Sequence, residues 1–229
     1  MSHVIGRREM MGAAGALAVA GAMSAAAQEP AKTIKIVAVN CSARTGKTTS
    51  AALALCLAAA KEKDPNIETE LIELGDLSIP AQLAAGLPLR AGEVDEFPEV
   101  AKKLADPAVA AIIVGSPVYF SNMSALCKAF LDRCMSFRKD GFTLRNKVAG
   151  VVAVGAARNG GQELTIQSIQ AALMCQDMIL VGDGKPSGRV GAALWNVDDS
   201  IADDKPGQDG ARNLGGRVAE VARAMAISH

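Results

Sequence analysis

The sequence predicts an α/β domain: a doubly wound, five-stranded parallel sheet with helices on both faces, three layers in all. Three observations carry this. Short β-branched runs alternate with helical stretches along the chain, as β-α units require. The central runs, VAAIIVG (109–115) and KVAGVVAVG (147–155), are apolar without alternation, which suits strands buried on both faces. Half of the residues are apolar but only 3% are aromatic, so Ala, Val, Leu and Ile must fill the core, letting helices lie close to the sheet.

The elements follow in order. IKIVAVN (34–40) is the first strand, and a helical pattern covers about 47–63. Residues 67–74 alternate apolar and charged, placing a second strand nearer the sheet edge. The Pro- and Gly-marked stretch 75–98 reads as loop with a helical turn around Gln82, and a short helix over 99–105 leads into the third strand. One long helix is expected over 122–138, then the fourth strand, a helix over 161–176 and a fifth strand at 178–182. A Gly/Asp-rich stretch to about Asp209 precedes a final helix that ends near Ser228. Ligands of such sheets bind beyond the carboxyl ends of the strands, where strand order reverses. The loops after the first, third and fourth strands are therefore the places to look.

Composition excludes several functions. With 24 basic and 24 acidic residues and no basic cluster, the chain is a poor nucleic-acid binder. It also lacks the acidity of a small electron carrier that docks on basic partners. Only His3 and His229 exist, one near each end, so histidine metal sites and His-dependent triads are not expected. The five cysteines (41, 56, 127, 134, 175) contain no C-x-x-C pair and read mostly as small buried hydrophobes.

Residues 1–28 read as an export signal peptide. Arg7 and Arg8 precede an Ala/Gly/Met run too short and too weakly apolar to span a bilayer, and Ala25, Ala26 and Ala27 offer a small-residue cleavage site. The paired arginines resemble a twin-arginine signal, which implies bacterial export of a folded protein to the periplasm. Residues 29–229 are then a single domain with no membrane span.

The first loop, 41–50, offers Ser42, Arg44, Gly46, Lys47, Thr48 and Thr49 between a buried strand and a helix. A helix cap needs one hydroxyl. Here several hydroxyls, two cations and the free N–H groups of a helix N-terminus converge, which is the make-up of a phosphate site. Gly46-Lys47-Thr48 also matches the end of a Walker A motif, but Cys41 stands where its first glycine belongs. The third strand, moreover, runs into Gly115-Ser116-Pro117 without a carboxylate for magnesium. A degenerate P-loop is therefore the weakest reading.

The second loop, 115–124, holds the only tyrosine, Tyr119, next to Phe120, with Pro117, Val118 and Asn122 around them. Composition alone leaves two readings open: aromatics that face a planar ligand, or aromatics that close the core. The third loop, 155–163, is rich in glycine and carries Ala156, Arg158, Gly160 and Gly161.

The stretch IIVGSPVYFSNMSALCKAFLDR (112–133) closely resembles the NADPH-dependent FMN reductase family of flavodoxin-like proteins, including the flavin half of iron–sulfur flavoproteins. Ser42, Arg44, Gly46 and Thr48 match that family's first loop, while Cys41, Ala43 and Lys47 depart from it. Gly160-Gly161-Gln162-Glu163 matches its third. The resemblance implies a flavodoxin-like strand order of 2-1-3-4-5 and FMN bound without a covalent link. Ser42, Arg44, Gly46 and Thr48 would hold the phosphate, with Lys47 and Thr49 added from charge and position. Pro117, Val118, Tyr119, Phe120 and Asn122 would run along the ring and ribityl chain. Ala156, Arg158, Gly160 and Gly161 would approach the pyrimidine edge, although a surface role for Arg158 stays open.

By the same resemblance NAD(P)H is a candidate donor, a small molecule the acceptor, and a homodimer or homotetramer the assembly. Iron–sulfur flavoproteins carry a compact cysteine motif after the second strand. Residues 75–98 contain no cysteine, so flavin alone is expected to carry electrons. The rival class is a non-enzymatic flavodoxin-type electron carrier.

Overall fold

The computed structural model describes residues 33–227; the expected export signal lies outside them. The first half comprises β1 (Ile34–Asn40), α1 (Thr48–Lys63), β2 (Ile67–Glu73), α2 (Phe97–Ala105), β3 (Val109–Tyr119), β4 (Asn122–Met123) and α3 (Ala125–Arg133). Then come α4 (Met135–Lys139), β5 (Val148–Gly155), α5 (Gln162–Met174), β6 (Ile179–Leu180), β7 (Ala192–Trp195) and α6 (Lys205–Ile227). The parallel strands stand in the order β2-β1-β3-β5, with β6 and β7 both against β5. This is the expected order 2-1-3-4-5, with β2 at the edge as its alternating pattern requires.

Side chains alternate across the central strands and build two cores. Ile36, Ala38, Ala111, Ile113, Val152 and Val154 face α1 and α6. Val37, Val39, Ile112, Val114, Val151 and Ala153 face the layer that contains α2, α3 and α5. A period of two with both faces buried explains the unbroken apolar runs. The first of these cores is thin. Where α6 crosses α1, a Cβ on Gly215 would overlap the Cys56 carbonyl, so the two backbones touch directly. Four of the five cysteines are buried, as expected, and Cys175 is exposed.

Four expectations need correction. The third strand does not stop at residue 115 but runs to Tyr119, then doubles back through Phe120 and Ser121 into β4. The helix expected over 122–138 is accordingly shorter and broken. Its first two residues are β4, Ser124 caps α3, and the helix is interrupted at Cys134, before α4 begins at Met135. The fifth strand is split. β6 pairs with Val148 and Ala149, the chain leaves, and β7 returns to pair with residues 152–155. Asp183 closes the excursion by accepting from Ser187 Oγ and Arg189 N, both at 2.6 Å. The last helix also starts earlier than expected, at Lys205.

Candidate functional site

Because the strands are parallel, β1, β3, β5 and β7 all end at one edge of the sheet, and specific bonds lock their loops together. At the end of β2, Glu73 accepts from Asn40 Nδ2 and from Ser50 Oγ, each at 2.5 Å, tying the end of β1 to the first turn of α1. Ser42 turns inward. Its N–H donates to Asn40 Oδ1 (3.1 Å) and its hydroxyl accepts from Arg44 N (3.1 Å), so it shapes the loop from within. Residues 43–47 are exposed, while Thr48 and Thr49 open α1 and are buried. Lys47 occupies the N-cap position with no capping side chain, and the first turn has no acid. A cation there opposes the helix dipole but suits an anion placed between the two.

The second loop is a tight hairpin. Val118 pairs with Met123 and Tyr119 with Asn122, leaving Phe120 (φ 51°) and Ser121 (φ 60°) as a two-residue turn with left-handed backbone at both positions. Such turns favour Asn-Gly, and a phenylalanine there is strained. Tyr119 is half exposed and Phe120 fully exposed. Neither closes the core, so one of the two readings open at the sequence level is removed.

Ser121 rests on the third loop. A Cβ on Gly161 (φ 97°) would lie 2.6 Å from Ser121 Cα, so only glycine permits this approach. The third loop is held from below by Gln162, which accepts from Gly160 N (2.9 Å) and donates to Ala157 O (2.6 Å). Ala156 O accepts from the Trp195 indole at 3.0 Å. Arg158 lies over the Trp195 ring, 5.2 Å from its centroid, and 3.4 Å from Asp204 Oδ1. Asp204 is itself buried and accepts from Trp195 N (2.7 Å) and Gly207 N (3.2 Å).

The structure thus brings the three loops to one edge and adds a fourth segment, 196–204, that sequence reasoning passed over. From this segment Asp199 reaches Arg44 Nη1 (2.7 Å) and Lys47 Nζ (2.9 Å). The two cations, Lys47 foremost, hold the Asp199 carboxyl below the usual carboxylate range. Asn196 in the same segment has a buried Oδ1 without a hydrogen-bond partner.

These features fit a flavin mononucleotide. The first loop supplies cations, hydroxyls and uncapped helix N–H groups for a phosphate. The hairpin offers an exposed aromatic face beside it. The glycines of the third loop leave backbone accessible, and Asn196 Oδ1 is an acceptor in need of an N–H. A groove of about 730 Å³ beside Arg212 and Arg217 on α6 is also cationic, but it is lined by no residue of these loops and by no aromatic side chain.

Comparison with known proteins agrees. Residues 34–189 match NADPH-dependent FMN reductase. The chain belongs to that family. An iron-sulfur flavoprotein of Methanocaldococcus jannaschii is 38% identical over 196 residues, covering 84% of this chain and 99% of the relative. An NAD(P)H dehydrogenase (quinone) of Rhizobium meliloti is 32% identical over 167 residues, 65% of this chain and 76% of the relative. Among solved structures, a WrbA-like flavodoxin from Agrobacterium tumefaciens superposes with a TM-score of 0.58 at 21% identity, covering 84% of this chain and 99% of that one. That likeness shows the flavodoxin-like fold.

As a member of the NADPH-dependent FMN reductase family, the protein is an FMN-dependent oxidoreductase. Segment 75–98, which contains no cysteine, is held by an ion pair. Arg133 makes two hydrogen bonds to Asp95 (2.8 and 2.7 Å), donates to Pro80 O (3.2 Å) and lies 4.6 Å from the Phe97 ring centroid.

Proposed function

We propose that this reductase passes electrons from a reduced nicotinamide to a small acceptor such as a quinone or free flavin, and that it works in the periplasm after export. The observation that supports it most is the joining of an anion-ready helix start, an exposed aromatic hairpin and a glycine loop at one sheet edge. Bound there, FMN supplies the redox chemistry, taking up electrons from one partner and releasing them to the next.

The protein's part is to bind, orient and polarise. Arg44, Gly46, Lys47, Thr48 and Thr49 hold the phosphate, with Ser42 fixing the turn beneath them. Pro117, Val118, Tyr119, Phe120 and Asn122 line the ring and ribityl chain. Ala156, Arg158, Gly160 and Gly161 meet the pyrimidine edge, where Arg158 favours negative charge on the ring. No side chain is required as acid or base. Export rests on residues 1–28, and no helix among the described residues is long and apolar enough to cross a membrane. Assembly as a homodimer or homotetramer rests on family resemblance, and exposed Phe120 and Leu164 beside the site are its support.

The test is to purify the protein, record its absorption spectrum and follow NAD(P)H oxidation with a quinone or ferric acceptor. Flavin bands with turnover are expected. A protein that binds flavin but oxidises neither nicotinamide is a carrier, and one that is colourless and cannot take up FMN overturns the reading entirely.

A further inference from the structure

We infer that Asp199 is a built-in rival of the flavin phosphate: its carboxylate pairs with Arg44 and Lys47, lowers the charge that the phosphate meets, and so keeps FMN exchangeable. This rests on the FMN reading above. One carboxylate oxygen takes Arg44 Nη1 at 2.7 Å and the other takes Lys47 Nζ at 2.9 Å, so a single residue occupies both cations of the first loop. These are the donors that a phosphate at the start of α1 would recruit.

The arrangement is built at a cost to the backbone. Asp198 (φ 47°) and Asp199 (φ 63°) both adopt left-handed conformations, in a turn closed by reciprocal 2.8 Å bonds between Val197 and Ser200. Outside glycine, Asp and Asn are among the few residues that tolerate this region, so the turn favours a short polar side chain at the point where it meets the cations. The carboxyl is also held below its ordinary range and is ionised at neutral pH.

A carboxylate and a phosphate cannot both claim the same guanidinium and ammonium donors at full strength. With Asp199 in place, the pair of cations presents a net charge of one rather than two. Arg44, Lys47 and Asp199 are each substantially solvent-exposed, so water screens their pairing and it breaks easily. The result is a phosphate site that holds its ligand and also lets it go. The remaining donors, the N–H groups of α1 and the loop hydroxyls, are not contested in this way.

Asp199→Asn tests this because asparagine keeps the turn and the hydrogen-bond acceptor but removes the charge. FMN and riboflavin, which lacks the phosphate, are titrated by flavin fluorescence quenching into wild-type and variant protein stripped of flavin. The expected result is a Kd for FMN lowered about three- to tenfold in the variant, with riboflavin affinity unchanged. An FMN affinity that stays the same or weakens overturns the proposal, since Asp199 would then only position the cations. So does an equal shift for both ligands, which would mean an effect through the ring site. If wild-type protein fails to bind either flavin, the FMN reading itself falls, and the wild-type titration alone reveals that.

Discussion

The Ser124 hydroxyl donates to the Cys41 carbonyl at 2.6 Å and accepts from Cys127 N at 3.0 Å, so one side chain joins the end of β1 to the start of α3 across 83 positions of sequence. It is buried, and its own N–H donates to Ser116 Oγ at 3.0 Å. Ser124→Ala removes a helix cap and leaves a buried carbonyl unpaired. A loss of about 1–3 kcal/mol in urea unfolding is expected, with weaker FMN binding because the first two loops are no longer tied.

Adjacent glycines in α6 should respond in opposite ways. Gly215 touches the Cys56 backbone, so Gly215→Ala must push α6 off α1 and is expected to cost about 3 kcal/mol or prevent folding. Gly216 has nothing within 4 Å of an added Cβ. Gly216→Ala should stabilise by about 0.5–1 kcal/mol through helix propensity and a less flexible unfolded chain. Urea midpoints of the two variants check both.

Strain at the hairpin should be recoverable. Phe120→Asn suits the left-handed backbone at that position and removes a fully exposed ring. Thermal unfolding should show a gain of about 0.5–1 kcal/mol while FMN affinity falls. A gain in both would argue that Phe120 makes no contact with the flavin.

The Arg133–Asp95 pair predicts an acid effect. Arg133 holds the Asp95 carboxyl below the usual range, so the folded state binds a proton there less readily than the unfolded chain. That contribution is complete above the unfolded pKa of about 4 and is lost as pH falls through the lower folded value. Arg133→Met should cost roughly 2–3 kcal/mol at pH 7, release segment 75–98 to proteolysis and flatten stability below about pH 4. Limited proteolysis and unfolding at several pH values measure each part.

Buried thiols predict the alkaline limit. Burial pushes Cys56 up to about 12 and raises Cys41 and Cys134 as well. Their stabilising effect is complete below about pH 8.5, where unfolded thiols hold their protons, and it fades as pH rises toward the folded values. Lys147, which burial lowers to about 8, acts in the opposite sense between about pH 8 and 10. With three thiols against one lysine, stability should fall above about pH 9, and Cys56→Ala should make that fall shallower in pH-dependent unfolding.

What the sequence could announce depended on distance along the chain. β1, β3 and β5 were legible because both faces are buried and nothing polar interrupts them. The loops after them were legible because hydroxyls, cations, aromatics and glycines cluster locally in 41–50, 115–124 and 155–163. The hairpin at Phe120 and Ser121 was not, because the residues that turns of this kind prefer are absent and the strain is held by packing on Gly161. β7 was hidden because four residues after a Gly-rich stretch carry too little pattern. Asp199 was hidden for another reason: nothing near Arg44 names a partner 155 residues away. Its only signal was a pair of aspartates beyond the last strand, in a stretch read only as Gly/Asp-rich.

The divided fifth strand gives the molecule a natural opening. Each half is hydrogen-bonded to β5 on its own, and residues 181–191 connect them outside the ladder. New chain ends placed at exposed Ser187 or Gly188 would leave every strand ladder and the loops 41–50, 115–124 and 155–163 covalently intact. A sensor or tether domain could thus be grafted at this point without cutting any β-ladder.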